Sequence, residues 1–120
     1  MASAPHQDMI IYTRMLEVYL WLFEKVATFP KAQRFIIGQQ IENAGLNCLR
    51  YIIEANNARS RSATLAKLDA LNTELAVLRG LLRITYEMRF MKASSLGFIT
   101  QKIDEVGRMT GGWSKKMVAG

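Results

Sequence analysis

Few side chains in this sequence are suited to catalysis or metal binding. The single cysteine is Cys48 and the single histidine is His6, so neither a His/Cys metal cluster nor a His-based nucleophilic triad is expected. Adjacent carboxylates occur only at Asp104 and Glu105, and these side chains would point in different directions on a helix. We therefore predict a protein that is not an enzyme and has no metal or cofactor, in which Cys48 is a small buried apolar residue.

The residues that do suggest a chemistry are cations. Sixteen lysines and arginines stand against ten aspartates and glutamates, which leaves a net charge of +6. In so small a domain this excess favours an anionic partner such as nucleic acid. The candidate residues for binding nucleic acid or another partner are Lys31, Arg34, Arg50, Arg59, Arg61, Arg79, Arg83, Arg108, Lys115 and Lys116.

Several of these cations also have an ordinary structural explanation. Arg59 and Arg61 fall in a polar turn, where charged side chains are usually only solvated. Lys115 and Lys116 fall in the last turn of a predicted helix, where cations complement the negative end of the helix dipole. Their positions alone do not separate a solvated surface from a binding surface.

Arg79 and Arg83 are four residues apart and therefore lie on one face of a helix. They either hold the fold together by pairing with carboxylates of another helix or present positive charge to a partner. Glu42 is the expected partner of an arginine here, Arg83 in particular, because antiparallel neighbouring helices bring mid-helix positions level. At least one of the two arginines is then structural.

Four amphipathic helices are predicted to position these residues. Leucines at 68, 71, 75, 78 and 82 alternate spacings of three and four, which is typical of the seam of a helix bundle. No segment shows the period-two alternation of a strand. We predict one all-α domain over residues 8–117, an up-down-up-down four-helix bundle, after a disordered lead at residues 1–7. The predicted helices span about 8–28, 31–56, 62–92 and 96–117.

Helix boundaries follow from capping residues and proline. Asp8 is a candidate N-cap for the first helix, and Pro30 ends that helix and suits the first turn of the next. Ser60 or Ser62 is expected to cap the third helix, and Ser94 or Ser95 the fourth.

Glycines inside the predicted helices need a reason, because each costs about 1 kcal/mol relative to alanine. Gly38 and Gly45 lie seven residues apart, so they share a face where a neighbouring helix is expected to approach closely. Gly107, Gly111 and Gly112 are expected to allow similarly tight packing in the fourth helix.

Hydropathy gives no sign of a membrane protein. No run approaches the eighteen or so apolar residues that a membrane-spanning helix needs, and the first residues lack the charged and apolar regions of a signal peptide. We therefore expect a soluble, cytoplasmic protein with no membrane partner.

Three segments together resemble a known family. They are KVATFPKAQRFIIGQQIENA (25–44), ELAVLRGLLRIT (74–85) and KIDEVGRMTGGW (102–113). In this order they closely resemble the small bacterial four-helix-bundle proteins that include the accessory variability determinant, Avd, of diversity-generating retroelements. The similarity covers about residues 10–117.

The resemblance implies a homo-pentameric barrel of four-helix bundles with a basic surface and no catalytic site. It implies binding to the reverse transcriptase of the element and to RNA, and possibly DNA, in support of mutagenic cDNA synthesis and retrohoming. The alternative is a general RNA-binding bundle with no polymerase partner, of the kind encoded within ribosomal RNA intervening sequences. Because no aromatic-and-basic platform of the RRM kind is apparent, nucleic-acid binding is expected to be mainly electrostatic and weakly sequence-specific.

Overall fold

A computed structural model describes residues 9–120, and these form four helices and no strand. We number the helices α1 (Ile10–Val26), α2 (31–57), α3 (Arg61–Glu87) and α4 (Ala93–Ala119). Helix α2 begins as Lys31–Gln33, passes through a π-helical turn at Arg34–Gly38 and continues as Gln39–Asn57. The prediction of an all-α four-helix bundle is confirmed. The predicted lead at residues 1–7 and the candidate cap Asp8 lie outside the described residues.

The helices pack as a closed ring in which each contacts two others. Helix α1 packs against α2 and α4, and α3 packs against the same two helices, within a rod of 48 × 21 × 20 Å. Because consecutive helices run antiparallel, the α1–α2 and α3–α4 connections meet at one end, here called the two-loop end. The α2–α3 connection and the C-terminus lie at the opposite end, the one-loop end. Among the described residues, no helix is long and apolar enough to cross a membrane.

The leucine stripe of α3 forms the centre of the core. The leucines at 68, 71, 75, 78 and 82 are at most 1% exposed. They face apolar side chains of the other three helices, including Met15, Ile41, Ile52, Ile99 and Ile103, each fully buried. Burying such a side chain contributes about 1.5–3 kcal/mol, so the spacing read from the sequence accounts for the main source of stability.

Glycines in α2 allow α1 to approach closely, as predicted. A Cβ atom built at Gly38 would lie 2.6 Å from a side-chain carbon of α1, and one at Gly45 would lie 2.9 Å from another. The corresponding prediction for Gly111 and Gly112 is wrong, because a Cβ atom at either position would have no neighbouring atom within 4 Å.

Helix α3 ends five residues earlier than predicted, at Glu87. Arg89 has a positive φ of 66°, a left-handed conformation that cannot continue an α-helix. The Arg89 N–H donates to the Tyr86 carbonyl at 2.9 Å and the Phe90 N–H donates to the Thr85 carbonyl at 3.0 Å. This pair of bonds is the Schellman motif, which closes a helix C-terminus with a left-handed residue.

The caps of α3 and α4 differ. Ser60 is the N-cap of α3, and its hydroxyl accepts a hydrogen bond from the Ala63 N–H at 3.1 Å, which confirms one of the two predicted caps. Helix α4 begins at Ala93 with Lys92 at the N-cap position and no capping side-chain bond. The prediction that Ser94 or Ser95 caps α4 is therefore wrong.

Candidate nucleic-acid interface

The structure spreads the predicted cations along the whole rod. Two of them lie near the two-loop end and four near the one-loop end, while the rest occupy the sides of α2, α3 and α4. All are exposed except Arg79, which is half-buried. Those near the two-loop end are Lys31 and Arg34, and those near the one-loop end are Arg59, Arg61, Lys115 and Lys116. Those on the sides are Arg50, Arg79, Arg83 and Arg108.

Arg79 belongs to the scaffold as well as to the charged surface. Its Nε donates to Asp104 Oδ1 at 3.0 Å, which joins α3 to α4, and its side chain is 35% exposed. A Cβ atom at Gly107 would lie 3.1 Å from Arg79 Nη2, so the glycine leaves room for the guanidinium. This position confirms that at least one of Arg79 and Arg83 is structural.

Arg83 does not pair with Glu42, so that prediction is wrong. Arg83 Nε donates to Glu87 Oε1 at 2.8 Å on the same helix, and the Arg83 side chain is 68% exposed. Glu42 lies in a groove between α1 and α2 that Tyr19 also lines. The pKa of Tyr19 is raised, mainly by burial of its side chain and to a smaller extent by the charge of Glu42. The two predicted partners therefore lie on different sides of the bundle.

One groove brings three of the predicted cations together. It lies between α3 and α4, has a volume of about 610 Å³, and is lined by Arg79, Arg83 and Arg108 with Asp104. Arg79 neutralises Asp104, and Arg83 is occupied by Glu87. Arg108 has no carboxylate within 4.0 Å among the described residues, so it is the cation of this groove that remains available to a ligand.

The other predicted cations have no ion-pair partner within residues 9–120. Arg34 also lacks an ion pair there, but its Nε donates to the Phe29 carbonyl at 3.0 Å and so stabilises the α1–α2 connection. Unpaired exposed cations supply a field that attracts polyanions. These residues are Lys31, Arg50, Arg59, Arg61, Lys115 and Lys116.

A second basic site lies at the two-loop end, in residues that sequence reasoning did not select. This end cleft has a volume of about 950 Å³ and is lined by Lys25, Arg89 and Lys92, together with serine and threonine hydroxyls. Lys25 Nζ donates to Ser95 Oγ at 3.3 Å. Sequence reasoning missed the site because more than sixty residues separate Lys25 from the other two cations. The sequence signal for this site is the pair of cations within the α3–α4 connection, Arg89 and Lys92.

Beside the end cleft, α1 and α4 form an aromatic strip that consists of Trp21, Phe98, Lys25 and Lys102. The Trp21 and Phe98 ring centroids are 6.0 Å apart. Lys25 Nζ lies 5.3 Å from the Trp21 centroid, and Lys102 Nζ lies 5.7 Å from the Phe98 centroid. Both are within the range of cation–π attraction. The structure thus combines aromatic and basic residues where the sequence predicted no such surface, because the four residues come from two helices.

Metal binding and the reactivity of Cys48 can be judged from the described residues. Within residues 9–120, no group of three or more His, Cys, Asp or Glu side chains is placed to hold a metal ion. Cys48 is fully buried, as predicted. Burial, and then the charge of Glu74, raise the pKa of the Cys48 thiol to about 12, so the reactive thiolate is not formed at neutral pH.

Together these features define a class, the antiparallel four-helix bundle with charged grooves. Within that class the sequence model of the bAvd-like family matches residues 9–117, and the chain belongs to the bAvd-like family. The resemblance seen in the three sequence segments is therefore confirmed.

A solved structure has the same fold. It is a protein of unknown function from the S23 ribosomal protein family of Bacteroides thetaiotaomicron VPI-5482, and the two structures superpose with a TM-score of 0.82. The sequence identity is 19%, and the similarity covers 88% of this chain and 96% of that one. No curated protein matches the chain.

Proposed function

We propose that the protein is a non-enzymatic accessory subunit of a diversity-generating retroelement. It binds the reverse transcriptase of the element together with RNA or DNA, and it supports mutagenic cDNA synthesis and retrohoming. The observation that carries the proposal is membership of the bAvd-like family over residues 9–117. The net charge of +6 and the exposed unpaired cations add an electrostatic reason to expect a polyanionic partner.

A pull-down tests this function directly. Tagged reverse transcriptase from the retroelement of the same genome serves as bait, and a labelled single-stranded RNA is added in a second arm. Retention of the protein by the reverse transcriptase supports the proposal. RNA binding without such retention contradicts it and favours the general RNA-binding bundle.

A double variant separates the binding surface from the scaffold. Arg59→Ala combined with Arg61→Ala removes two exposed cations at the one-loop end, where neither has an ion-pair partner among the described residues. Arg59 lies in the α2–α3 connection and Arg61 is the first residue of α3. Exposed charges without an ion-pair partner contribute under about 1 kcal/mol to stability, so the melting temperature should stay nearly unchanged. If these residues belong to the interface, association with reverse transcriptase or RNA should weaken while the oligomer stays intact.

Affinity for nucleic acid is expected to depend steeply on salt. The exposed unpaired cations are expected to supply most of the affinity through contacts with phosphates. For about five phosphate contacts on a single strand, affinity should fall roughly 100-fold between 50 and 200 mM salt. Fluorescence anisotropy with a labelled RNA checks this, and a salt-independent affinity would contradict it.

The proposed assembly is a homo-oligomer, with five protomers as the favoured number. Exposed apolar side chains support self-association. Phe23, Phe35 and Leu46 are 54%, 71% and 48% exposed beside a groove of about 500 Å³ between α1 and α2. Val77 and Ile84 are similarly exposed on α3. Light scattering of the purified protein measures the mass, and a monomer across micromolar concentrations would exclude the assembly.

A further inference from the structure

Arg89 occupies a backbone position that favours glycine. Its φ of 66° lies in the left-handed region, where a side chain clashes with the backbone and glycine does not. The Schellman motif that ends α3 would form equally well, and with less strain, around a glycine. Arg89 is exposed and has no ion pair with any described residue to offset the strain. Its side chain lines the end cleft.

Lys92 is also a poor choice for the fold at its position. It is the N-cap residue of α4, and it offers no acceptor to the free N–H groups of the first turn. Serine, aspartate or asparagine would stabilise the helix better there. Two cations that line the same cleft thus stand where the backbone would favour other residues, so folding alone does not account for them.

The charge of the end cleft is strongly positive. Lys25, Arg89 and Lys92 face one carboxylate, that of Glu87, and Arg83 already neutralises Glu87 at 2.8 Å. Hydroxyls of Ser94 and Ser95 add hydrogen-bond donors. Cations with hydroxyl donors match the non-bridging oxygens of a phosphate group.

The aromatic strip places further cations, together with aromatic rings, beside the end cleft. Lys25 belongs to both sites, since it lines the cleft and lies over the Trp21 ring. Phe98 is 49% exposed, and its ring lies near both Trp21 and Lys102. Trp21 is half-buried and packs against the core, so Phe98 is the more accessible ring of the pair. Cations beside aromatic rings are the features that hold single-stranded nucleic acid, because phosphates pair with the cations and bases stack on the exposed parts of the rings.

We propose that the end cleft and the aromatic strip form a binding path for single-stranded nucleic acid. Phosphates contact Lys25, Arg89 and Lys92, and bases stack against the Trp21–Phe98 pair. This inference rests on the proposed function in that it requires the protein to bind nucleic acid, and it locates the contact on residues outside the set selected from the sequence.

Arg89→Gly is the decisive variant, because the two consequences of the substitution have opposite signs. Removing the left-handed strain should raise the melting temperature by a few degrees, while removing one phosphate contact should weaken binding roughly five- to tenfold. The measurements are a thermal melt and fluorescence anisotropy with a labelled single-stranded 20-mer of mixed sequence at low salt. Weaker binding by a more stable protein cannot result from misfolding.

Arg50→Gln is the matched control. It removes the same charge from an exposed position on α2, a helix that does not line the end cleft or the aromatic strip. Binding should weaken less than with Arg89→Gly. If Arg50→Gln weakens binding as much or more, the phosphates lie elsewhere on the rod and this inference fails, whereas the proposed function stands. If the wild-type protein binds no nucleic acid, the proposed function itself fails.

Competition identifies the ligand chemistry. Unlabelled single strand should displace the labelled 20-mer, whereas inorganic phosphate and a blunt duplex should compete poorly at matched ionic strength. Displacement by millimolar phosphate alone would overturn the single-strand path and indicate a site for a small anion. If Arg89→Gly loses reverse transcriptase but keeps full affinity for the oligonucleotide, the cleft is instead a protein-docking surface and the inference is overturned.

Discussion

The α2–α3 and α3–α4 connections perform the same task, yet they are built differently. In the first, Ser60 is extended at φ −138° and caps α3 with its hydroxyl. In the second, Arg89 occupies a left-handed position and Lys92 leaves the start of α4 uncapped. The first connection follows the ordinary preferences of the backbone, and the second departs from them twice. Backbone preferences therefore do not account for the residues of the α3–α4 connection.

Ser60→Ala should have the largest effect on stability among substitutions at the two connections. Loss of the hydroxyl leaves the Ala63 N–H without its acceptor, and an N-cap of this kind is worth about 1 kcal/mol. The melting temperature should fall by about 4 °C or more, measured by circular dichroism. Affinity for single-stranded RNA should not change. An unchanged melting temperature would show that the two connections do not differ in the way that their geometry indicates.

Lys92→Ser should act in the opposite direction and by a smaller amount. Serine would supply the missing cap of α4 and should stabilise the fold by roughly 0.5–1 kcal/mol, while the loss of a cation should weaken binding. Lys92→Gln is the matched control, because it removes the charge without providing a good cap. If both variants lose the same affinity and only the serine variant gains melting temperature, the charge of Lys92 acts in binding and the missing cap lowers stability. A gain in both variants would point to relief of charge repulsion instead.

Arg83→Ala should have the smallest effect on stability. An exposed i,i+4 pair contributes about 0.3–0.5 kcal/mol, far below the 3–5 kcal/mol expected if Arg83 were half of a buried pair. Urea denaturation measures the difference. Because the variant leaves Glu87 unneutralised beside the end cleft, RNA affinity should fall modestly although stability hardly changes. A loss of several kcal/mol would mean that Arg83 has a buried partner after all.

The sequence predicts the core well because burial follows from spacing alone. Each leucine of the α3 stripe is buried as expected, and Gly38 and Gly45 lie where α1 approaches. Apolar residues that recur on one side of a helix can be identified as buried without knowing where the other helices lie. The number of helices and their amphipathic faces therefore follow from the sequence.

The partners of Arg79 and Arg83 could not be predicted in the same way. Four residues advance a helix by about 40° beyond one full turn. This rotation is enough to place Arg79 at the α3–α4 interface and Arg83 in solvent. The sequence indicates how far Glu42 lies along the bundle axis, and this position alone makes it a candidate partner for Arg83. The pairing also depends on which side of α2 Glu42 occupies. That information is present only once the helices are packed.

The end cleft was missed for a related reason. Lys25, Arg89 and Lys92 share no sequence motif, and antiparallel packing alone brings α1 beside the α3–α4 connection. The left-handed φ of Arg89 carries no sequence signal either, since arginine is uncommon in this conformation. A site built from the ends of separate helices becomes visible only in three dimensions.

Burial of Cys48 gives the protein an internal reporter of its own opening. The side chain is fully enclosed in the middle of α2, and its thiol pKa is raised to about 12. A thiol-specific reagent at neutral pH therefore reacts with it only during excursions that separate the helices, when the thiol is solvated and its pKa returns toward the ordinary value. Labelling rates with and without a nucleic-acid ligand would then measure how far ligand binding suppresses these excursions, without any added probe.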